Sequence, residues 1–301
     1  MEAPKIDIVL PFVNGLDPEW QKMHSQYRDD IDYTRFDGHD ILKYVFRSID
    51  RYVPWINTVH LLVMQDSQVP QWINRDKVHI VYHKDFIPEQ HLPVFNSSAI
   101  EMYLWNIPEL SEHFIYINDD MVFNNMLNTS DHFDSKYNPM VSLMRIKYRS
   151  KKLNTDYAQT FINSCKLASL NTNIKCYDNV NNILLRPSHG PQAYKRSQYE
   201  TIYNMYKDLI ENSISRFRET KNYNQYLFSA YTIFNKLCKP KGSTYEYISM
   251  IRKNYNSIEK ILNSNVKELC INDVAITTVE DKKWLSLQLN MKFPNKCKYE
   301  I

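Results

Sequence analysis

The run of apolar residues at 114–117 constrains the fold most, because it ends abruptly in an amide and two adjacent carboxylates. The letters FIYI are followed directly by Asn118, Asp119 and Asp120. A continuous apolar run of this length is typical of a strand covered on both faces, as in a mostly parallel sheet between helices. Such sheets bind ligands beyond the carboxyl ends of their strands, where these polar residues fall. An isolated Asp-Asp pair is more often a solvated turn, so the rest of the chain must decide between the two interpretations.

The same pattern, an apolar segment that ends in Asn-Asp, recurs near the end of the chain. Ile271 is followed by Asn272 and Asp273, and Asp17 follows the first predicted strand. Neighbouring carboxylates repel one another unless a cation or hydrogen-bond donors compensate them. Mg²⁺ and Mn²⁺ prefer such oxygen ligands, so the pattern predicts a metal and phosphate site to which several strand ends bring acidic residues.

The composition is that of a globular protein with one large domain. The chain has 301 residues, of which 43% are hydrophobic and 24% charged, so it can bury a full core. Its net charge of +3 is too small to indicate a nucleic-acid partner. The short basic run at 147–152 could contact an anionic glycan, lipid or nucleic acid, but a solvated loop is the favoured interpretation.

The cysteines and the hydropathy of the chain indicate its cellular setting. Its five cysteines are widely spaced and form no zinc or redox motif, which favours a reducing, cytoplasmic environment. No apolar run is long enough to cross a bilayer, and the amino terminus lacks the basic and apolar regions of a signal peptide. We therefore expect a soluble protein, or one attached peripherally to a membrane.

Strand and helix patterns alternate along most of the chain, which favours a layered α/β fold with a mostly parallel sheet and flanking helices. The predicted strands are 6–13, 58–64, 78–83, 114–117 and 267–271, and the predicted helices are 40–52, 97–107 and 278–292. Pro11 complicates the first strand and indicates a bulge or a sheet edge. Asp40 and either Ser97 or Ser98 are the expected helix caps.

Two regions depart from this alternation. Residues 131–185 show no lasting period, and we predict mixed strands and loops that form an insertion or a substrate-facing lobe. Residues 192–265 carry apolar and aromatic residues at helical spacing. We predict a helical region there, whose aromatic stripes belong to the core.

Short segments along the chain resemble, in order, the four sequence blocks of the Stealth family of hexose-1-phosphate transferases. The matching segments are IDIV and VNGLDP within 6–18; RFD at 35–37, RSI at 47–49, VPQW at 69–72, LPVFNSSAIE at 92–101 and NDD at 118–120; HGP at 189–191 with SRFR at 215–218; and CIND at 270–273, with FP and YE behind it. They span nearly the whole chain, so the resemblance implies a single catalytic domain over 1–301. Asn14 stands where many members of the family have Asp.

The resemblance implies transfer of a sugar-1-phosphate from a nucleotide-sugar to a hydroxyl of a glycan or glycolipid acceptor. A nucleoside monophosphate is released, and the setting is the synthesis of a bacterial capsule or cell-surface polysaccharide. The expected core is Rossmann-like or GT-A-like, and the expected cofactor is Mg²⁺ or Mn²⁺. The expected location is cytoplasmic, with peripheral contact to the inner face of the membrane or to a capsule-synthesis complex left open.

The same resemblance implies roles for individual residues in a reaction that depends on positioning and on neutralisation of charge. Asp119, Asp120 and Asp273 are expected to hold the metal. Arg218 is expected to stabilise the transferred phosphoryl group. His189 is the candidate general base, because an imidazole can accept a hydroxyl proton near neutral pH.

Further residues are expected to support or contact the substrates. Asp17 is the second candidate for the base, and Asp120 is counted among the catalytic residues as well as the metal ligands. The predicted substrate-binding residues are Asn14, Gly15, Arg47, Glu101, Asn118, Arg216 and Asn272. For Arg47, a salt bridge on a helix surface is an equally good interpretation.

Two other function classes remain open at this point. A metal-dependent glycosyltransferase would transfer the sugar alone and release a nucleoside diphosphate. A catalytically silent carbohydrate-binding module would keep its function without Asp119 or Arg218.

Overall fold

The computed structural model describes residues 3–28, 41–250, 254–272 and 278–301. Asp273, the expected cap Asp40 and the RFD letters at 35–37 lie outside the described residues. Of Asn272, the structure describes the backbone alone.

Strands and helices alternate, as the sequence predicts. The strands are β1 Ile6–Pro11, β2 Val59–Val63, β3 His79–Tyr82, β4 His113–Tyr116, β5 Met121–Phe123, β6 Met140–Val141, β7 Leu143–Lys147, β8 Tyr177–Asp178, β9 Ile183–Pro187, β10 Gln192–Lys195, β11 Lys239–Pro240, β12 Tyr245–Ser249 and β13 Glu268–Asn272. The helices are α1 Pro18–Ser25, α2 Ile41–Tyr52, α3 His83–Phe86, α4 Ser97–Glu101, α5 Ser150–Leu153, α6 Asp156–Ala168, α7 Arg196–Met205, α8 Lys207–Ser213, α9 Tyr226–Phe234, α10 Tyr255–Leu262 and α11 Val279–Lys292. The fold is therefore α/β, with a mostly parallel sheet and flanking helices.

The chain forms two compact units. The arginine unit, named after its candidate site residues, comprises Met1–Lys5, His83–Ile115 and Ser130–Ser243. The acidic-turn unit comprises Ile6–Tyr82, Tyr116–Thr129 and Thr244–Ile301. A single catalytic domain over 1–301 stays a prediction.

Parallel strands form the core of the acidic-turn unit. β1 pairs with β2, and β2 pairs with β3, all in parallel. On the other side of β1, the Ile117 N–H donates to the Val9 carbonyl at 3.0 Å. Every residue of β2 is buried, as expected for a parallel strand covered on both faces.

Pro11 occupies the last position of this interior strand. It lies opposite Leu62 in the register, and the next residue, Phe12, donates its N–H to the Leu62 carbonyl at 2.9 Å. The prediction of a bulge or an edge position was wrong. Proline fits here because the strand ends with it and the following N–H continues the hydrogen bonding to β2.

Helix α2 confirms its predicted apolar stripe. Ile41, Leu42, Val45 and Ile49 are buried, and the helix packs against β5 and α11. Full burial of each such side chain contributes about 2 kcal/mol to folding. This packing helps to fix the segment that follows the Asp119-Asp120 pair.

A smaller sheet in the acidic-turn unit contains the second Asn-Asp segment. β13 pairs in parallel with β12 and antiparallel with β5, with Cys270 opposite Met121. The predicted strand at 267–271 is confirmed, and α11 matches the predicted closing helix, with Thr278 as its cap. The predicted helical region 192–265 was wrong for β10, β11 and β12, which lie within it.

The arginine unit contains an antiparallel sheet, with β9 between β7 and β8. Helices α6 and α9 pack against each other and on β9. Helix α6 corrects the prediction of strands and loops for 131–185. Its buried residues include Ala158, Phe161, Ile162 and Cys165 at helical spacing, but polar neighbours dilute that pattern and packing decides the conformation.

The helix predicted at 97–107 is shorter than expected. α4 ends at Glu101, and Leu104–Asn106 form a separate 3-10 turn. The cap is Asn96 rather than Ser97 or Ser98, because the Asn96 side chain accepts a hydrogen bond from the Ser98 N–H at 3.1 Å.

The described part of the chain was searched for disulfides and for helices that could span a membrane. None of the five cysteines forms a disulfide within it. Of the helices that the structure describes, none combines the length and the apolar character needed to cross a membrane.

Candidate active-site residues in two units

The Asn118-Asp119-Asp120 segment forms a turn between β4 and β5. The Asn118 carbonyl accepts the Met121 N–H at 3.1 Å. The turn is also tied to β13, because the Asp120 carbonyl accepts the Ile271 N–H at 2.8 Å and the Cys270 thiol donates to Asp120 Oδ2 at 3.1 Å. The turn at 118–120 and the strand that leads to the second Asn-Asp pair are therefore neighbours in the acidic-turn unit.

The donor set of this turn fits a hard cation. Asp119 and Asp120 are half-buried and supply carboxylate oxygens. Mg²⁺ characteristically takes one or two carboxylates and completes its shell with water and phosphate oxygens. Within the described ranges, no three His, Cys, Asp or Glu side chains gather as a metal site.

Asp17 is buried at the start of α1, where it is the helix cap. It accepts hydrogen bonds from Ser67 Oγ and Gln68 Nε2, both at 2.6 Å, and from the Glu19 N–H at 3.1 Å. Burial alone would raise the pKa of Asp17, but these hydrogen bonds together hold the pKa below its ordinary value. The carboxylate is therefore a weak proton acceptor that organises the loops after β1 and β2.

Asn14 and Gly15 belong to the same loop network. The Asn14 N–H donates to Gln68 Oε1 at 2.7 Å, and Gln68 Nε2 donates back to the Asn14 carbonyl at 3.1 Å. The Gly15 carbonyl accepts from Gln21 Nε2 at 2.7 Å. Because β1 and β2 are parallel, this network lies at the carboxyl ends of their strands, as predicted for a ligand-binding edge.

Arg47 forms a buried ion pair within the acidic-turn unit. Its Nε and Nη2 donate to the two Glu300 carboxylate oxygens at 2.7 and 2.9 Å, and its Nη1 donates to the Phe293 carbonyl at 2.7 Å. The hydrogen bond to Glu300 raises the pKa of Arg47. With each terminal nitrogen engaged, the guanidinium is placed to hold the carboxyl-terminal segment rather than a substrate.

The SRFR segment presents two arginines in the arginine unit. Arg216 Nε donates to the Pro93 carbonyl at 2.9 Å, and the Arg216 carbonyl accepts the Phe95 N–H at 2.8 Å. Arg218 Nη2 donates to Ser97 Oγ at 2.5 Å. The Arg218 Nε is buried and has no hydrogen-bond partner among the described residues, so this guanidinium keeps donors available for an anion.

Glu101 lies beside the amino terminus of α9. Its Oε2 accepts the N–H of Gln225, the residue that precedes this helix, at 2.9 Å, and its carbonyl accepts from the Tyr199 hydroxyl at 2.5 Å. A carboxylate at a helix amino terminus is favourable. Glu101 therefore stabilises the amino terminus of α9, the helix that contains Tyr226.

His189 follows β9 and is half-buried. Its Nδ1 lies 2.9 Å from the Tyr226 hydroxyl. Burial, with the positive charge of Arg186 as a second cause, lowers the pKa of His189 to about 4. The imidazole is therefore neutral near pH 7, as a proton acceptor must be, but a pKa this low makes it a weak base in the free protein.

Arg186 was missed as a site residue by the sequence argument. It is only 5% exposed, its Nη1 donates to the Pro187 carbonyl at 2.9 Å, and its guanidinium lies 4.2 Å from the centre of the Phe161 ring. The signal was present in β9, where a charged residue occupies a position facing inward among apolar neighbours.

Comparisons with known proteins agree with the resemblance found in the sequence. Residues 35–141 match the family described as Stealth protein CR2, conserved region 2. An exopolysaccharide phosphotransferase of Lactiplantibacillus plantarum is 30% identical, over 98% of this chain and 96% of the relative. A capsular polysaccharide phosphotransferase of Streptococcus pneumoniae is 28% identical over 98% of both chains. One from Haemophilus influenzae is 34% identical over 73% of this chain and 62% of the relative.

Proposed function

This chain belongs to the Stealth family and is a phosphotransferase, and we propose that it transfers a sugar-1-phosphate from a nucleotide-sugar to a hydroxyl of a polysaccharide acceptor. The product is a phosphodiester, and the nucleoside monophosphate leaves. The observation that carries this proposal is the Asp119-Asp120 turn, which is tied to β13 through Asp120. A diphosphate donor needs both a cation held by such carboxylates and arginines for its oxygens.

Asp119 and Asp120 are proposed to hold Mg²⁺ or Mn²⁺, with Asp273 as a further ligand. The ion, when bound, would neutralise charge on the diphosphate. The half-buried position of both carboxylates strengthens their electrostatic interactions relative to a fully hydrated pair. Asn118 and Asn272, which adjoin these acids in the sequence, are proposed to donate hydrogen bonds to the donor.

Arg218 is proposed to stabilise charge on the transferred phosphoryl group. Its unpartnered Nε and its hydrogen bond to Ser97 Oγ support this role, because the side chain is oriented by one bond while other donors stay available. Arg216 is anchored through the Pro93 carbonyl. It is proposed to contact the donor with its terminal nitrogens.

His189 is proposed to accept the proton of the attacking hydroxyl through Nε2. This step requires the tautomer in which Nδ1–H donates to the Tyr226 hydroxyl oxygen, a contact of 2.9 Å that orients the ring and leaves Nε2 as the acceptor. Asp17 is the weaker choice, since three hydrogen bonds already occupy its carboxylate. We propose instead that Asp17, with Asn14 and Gly15, shapes the loop that contacts the donor.

The reaction is proposed to take place in the cytoplasm, at or near the inner face of the membrane. The names of the relatives refer to exopolysaccharide and capsular polysaccharide, and such an acceptor is proposed here for this chain. Assembly with other capsule-synthesis proteins is part of the same proposal.

The decisive experiment identifies the nucleotide product. Purified protein is incubated with a panel of nucleotide-sugars, Mg²⁺ and a polysaccharide acceptor, and the products are separated by liquid chromatography and mass spectrometry. We expect nucleoside monophosphate in amounts that match the phosphodiester formed. Release of nucleoside diphosphate without monophosphate would identify a glycosyltransferase and overturn the proposal.

A further inference from the structure

Arg186 is a buried cation without a carboxylate partner among the described residues. Its neighbours include the Pro187 carbonyl and the faces of two aromatic rings, with ring centres 4.2 Å away for Phe161 and 5.9 Å away for Tyr226. A buried charge is normally paired, because its desolvation costs several kcal/mol. Contact with ring faces offsets only part of that cost.

Two hydrogen-bond donors in this cluster lack partners within the described part of the chain. They are the Arg186 Nε and the hydroxyl of Tyr148, both fully buried. Arg186 and Tyr148 interact electrostatically, since the guanidinium opposes the burial that raises the pKa of the Tyr148 hydroxyl. An unsatisfied buried donor costs about 1–3 kcal/mol, so two adjacent ones point to an absent acceptor.

The surrounding groups do not supply that acceptor. From α6, Cys165 faces the cluster as a neutral thiol, because burial raises its pKa. From α9, Tyr226 is a neutral phenol, since burial raises its pKa too. Glu101 is the carboxylate that acts on Tyr226, and its Oε2 already accepts the Gln225 N–H.

We propose that Arg186 and Tyr148 form a subsite for a phosphate-like oxyanion, next to His189. The inference rests on the proposed function in one respect: the oxyanion that enters is assigned to the diphosphate of the nucleotide-sugar. A guanidinium presents paired N–H donors that match phosphate oxygens, and a phenol adds one more. His189 and Tyr148 are each partly exposed, so an anion could reach the cluster from their side.

The subsite has a consequence for the histidine beside it. Two causes lower the pKa of His189 in the free protein: its burial and, second, the positive charge of Arg186. A bound anion would neutralise that positive charge, so the imidazole becomes more basic when substrate is present. The proton acceptor thus gains strength at the stage at which it is used.

The subsite also makes an unusual prediction about stability. If Arg186 is unpaired until an anion binds, then Arg186→Met removes an uncompensated buried charge and leaves a side chain of similar length. The free protein should then melt at the same temperature or higher, while anion binding is lost. If Arg186 is a structural residue, the same variant should melt at a lower temperature and bind normally.

The test measures binding of inorganic pyrophosphate by isothermal titration calorimetry, in EDTA so that no metal contributes. Arg186→Met and Tyr148→Phe should each weaken binding at least about tenfold, as expected for loss of a hydrogen bond to a charged group. The matched control is Arg149→Met, which removes an exposed arginine close to Tyr148 in the sequence, and its affinity should equal that of the unaltered protein. Unchanged binding by Arg186→Met, or weakened binding together with a lower melting temperature, would overturn the subsite.

The outcome is separable from that of the proposed function. If no nucleotide-sugar yields monophosphate but pyrophosphate binding still depends on Arg186, the proposed function fails and the subsite stands. If monophosphate is released and Arg186→Met binds pyrophosphate as tightly as the unaltered protein, the subsite fails and the proposed function stands.

Discussion

Charged side chains in the acidic-turn unit and in the arginine unit differ in whether the protein itself supplies their hydrogen-bond partners. In the first, Asp17 accepts three hydrogen bonds, and Arg47 is paired with both oxygens of Glu300. In the second, Arg186 and Arg218 each keep a buried Nε that has no partner in the described ranges. We propose that the charges satisfied within the protein stabilise the fold, and that the two arginines with unpartnered donors bind an anionic ligand.

The contrast sorts residues that the family resemblance groups together. The resemblance implies substrate contact for three arginines, Arg47, Arg216 and Arg218. The guanidinium of Arg47, however, is paired with the carboxylate of Glu300. Arg218 has one side-chain bond, to Ser97. From these hydrogen bonds we propose that Arg47 contributes to stability and Arg218 to the reaction.

The largest expected effect concerns the carboxylates of the acidic turn. Asp120→Asn and Asp119→Asn should each lower the rate of monophosphate release by about 10²–10³-fold, as expected when a charge that stabilises the transition state is removed. The rate is measured at saturating nucleotide-sugar over a range of Mg²⁺ concentrations. Asp76→Asn, which changes an exposed acid of the same unit, is the control and should keep full activity. A fully active Asp120→Asn would remove the turn from the mechanism.

Substitution of Arg47 tests whether a charge that is paired within the protein contributes to stability. Arg47→Met leaves Glu300 buried without its partner, so the free energy of unfolding should fall by about 3 kcal/mol. Urea denaturation measures this change, and the activity of the folded fraction should be unaltered. Arg75→Met breaks the exposed pair with Asp66 and should change stability by less than about 1 kcal/mol. A raised KM for the nucleotide-sugar with normal stability would return Arg47 to the substrate site.

Arg218 sharpens the comparison by a conservative change. Arg218→Lys keeps the positive charge but loses the planar fork, so kcat should fall by about 10–100-fold. The proportion of folded protein, followed by circular dichroism, should not change. Arg149→Lys alters an exposed arginine of the same unit and should have no effect on kcat. Equal kcat values for Arg218→Lys and the unaltered enzyme would show that shape is unimportant at this position.

The smallest effect is a pH dependence of stability that originates in the arginine unit. Burial lowers the pKa of His83 to about 4 and also lowers the pKa of His113. The unfolded chain therefore binds more protons than the folded protein below the ordinary histidine pKa. Stability should fall as pH decreases from about 6.5 towards 4, by about 1.4 kcal/mol per pH unit for each proton taken up.

Denaturant unfolding at several pH values measures this slope. His113→Phe packs against the rings of Phe133 and Tyr137 without a titrating group. Its stability should therefore fall less steeply with pH, by as much as about 1.4 kcal/mol per pH unit, the contribution of one proton. An identical slope for this variant would show that His113 does not contribute.

Much of the structure around the acidic turn could be predicted because it depends on local sequence. A buried strand followed by acid gives the turn at 118–120, and the apolar spacing of α2 gives a helix that packs behind it. The pairing of β13 with β5 brings the second Asn-Asp segment beside the first. No local pattern contains that pairing, but the repeated motif suggested it.

The features that sequence reasoning missed depend on contacts between distant residues. Arg47 and Glu300 meet across 253 positions of the chain, so the sequence could not decide between a substrate contact and an ion pair. The alternation in β9 hints that Arg186 faces inward, but only the structure shows that α6 and α9 cover it with Phe161 and Tyr226. Helix α6 escaped prediction for the same reason, since packing on β9 stabilises a weak local pattern.

The fate of the phosphorus next to the sugar tests the central claim most directly. A nucleotide-sugar that carries ³²P only in that phosphate is incubated with the protein, Mg²⁺ and acceptor, and the label is located after size separation. The account predicts that the label enters the polysaccharide as a phosphodiester, while the nucleoside monophosphate is unlabelled. Label that stays with a released nucleoside diphosphate, with the sugar alone in the polysaccharide, would contradict it.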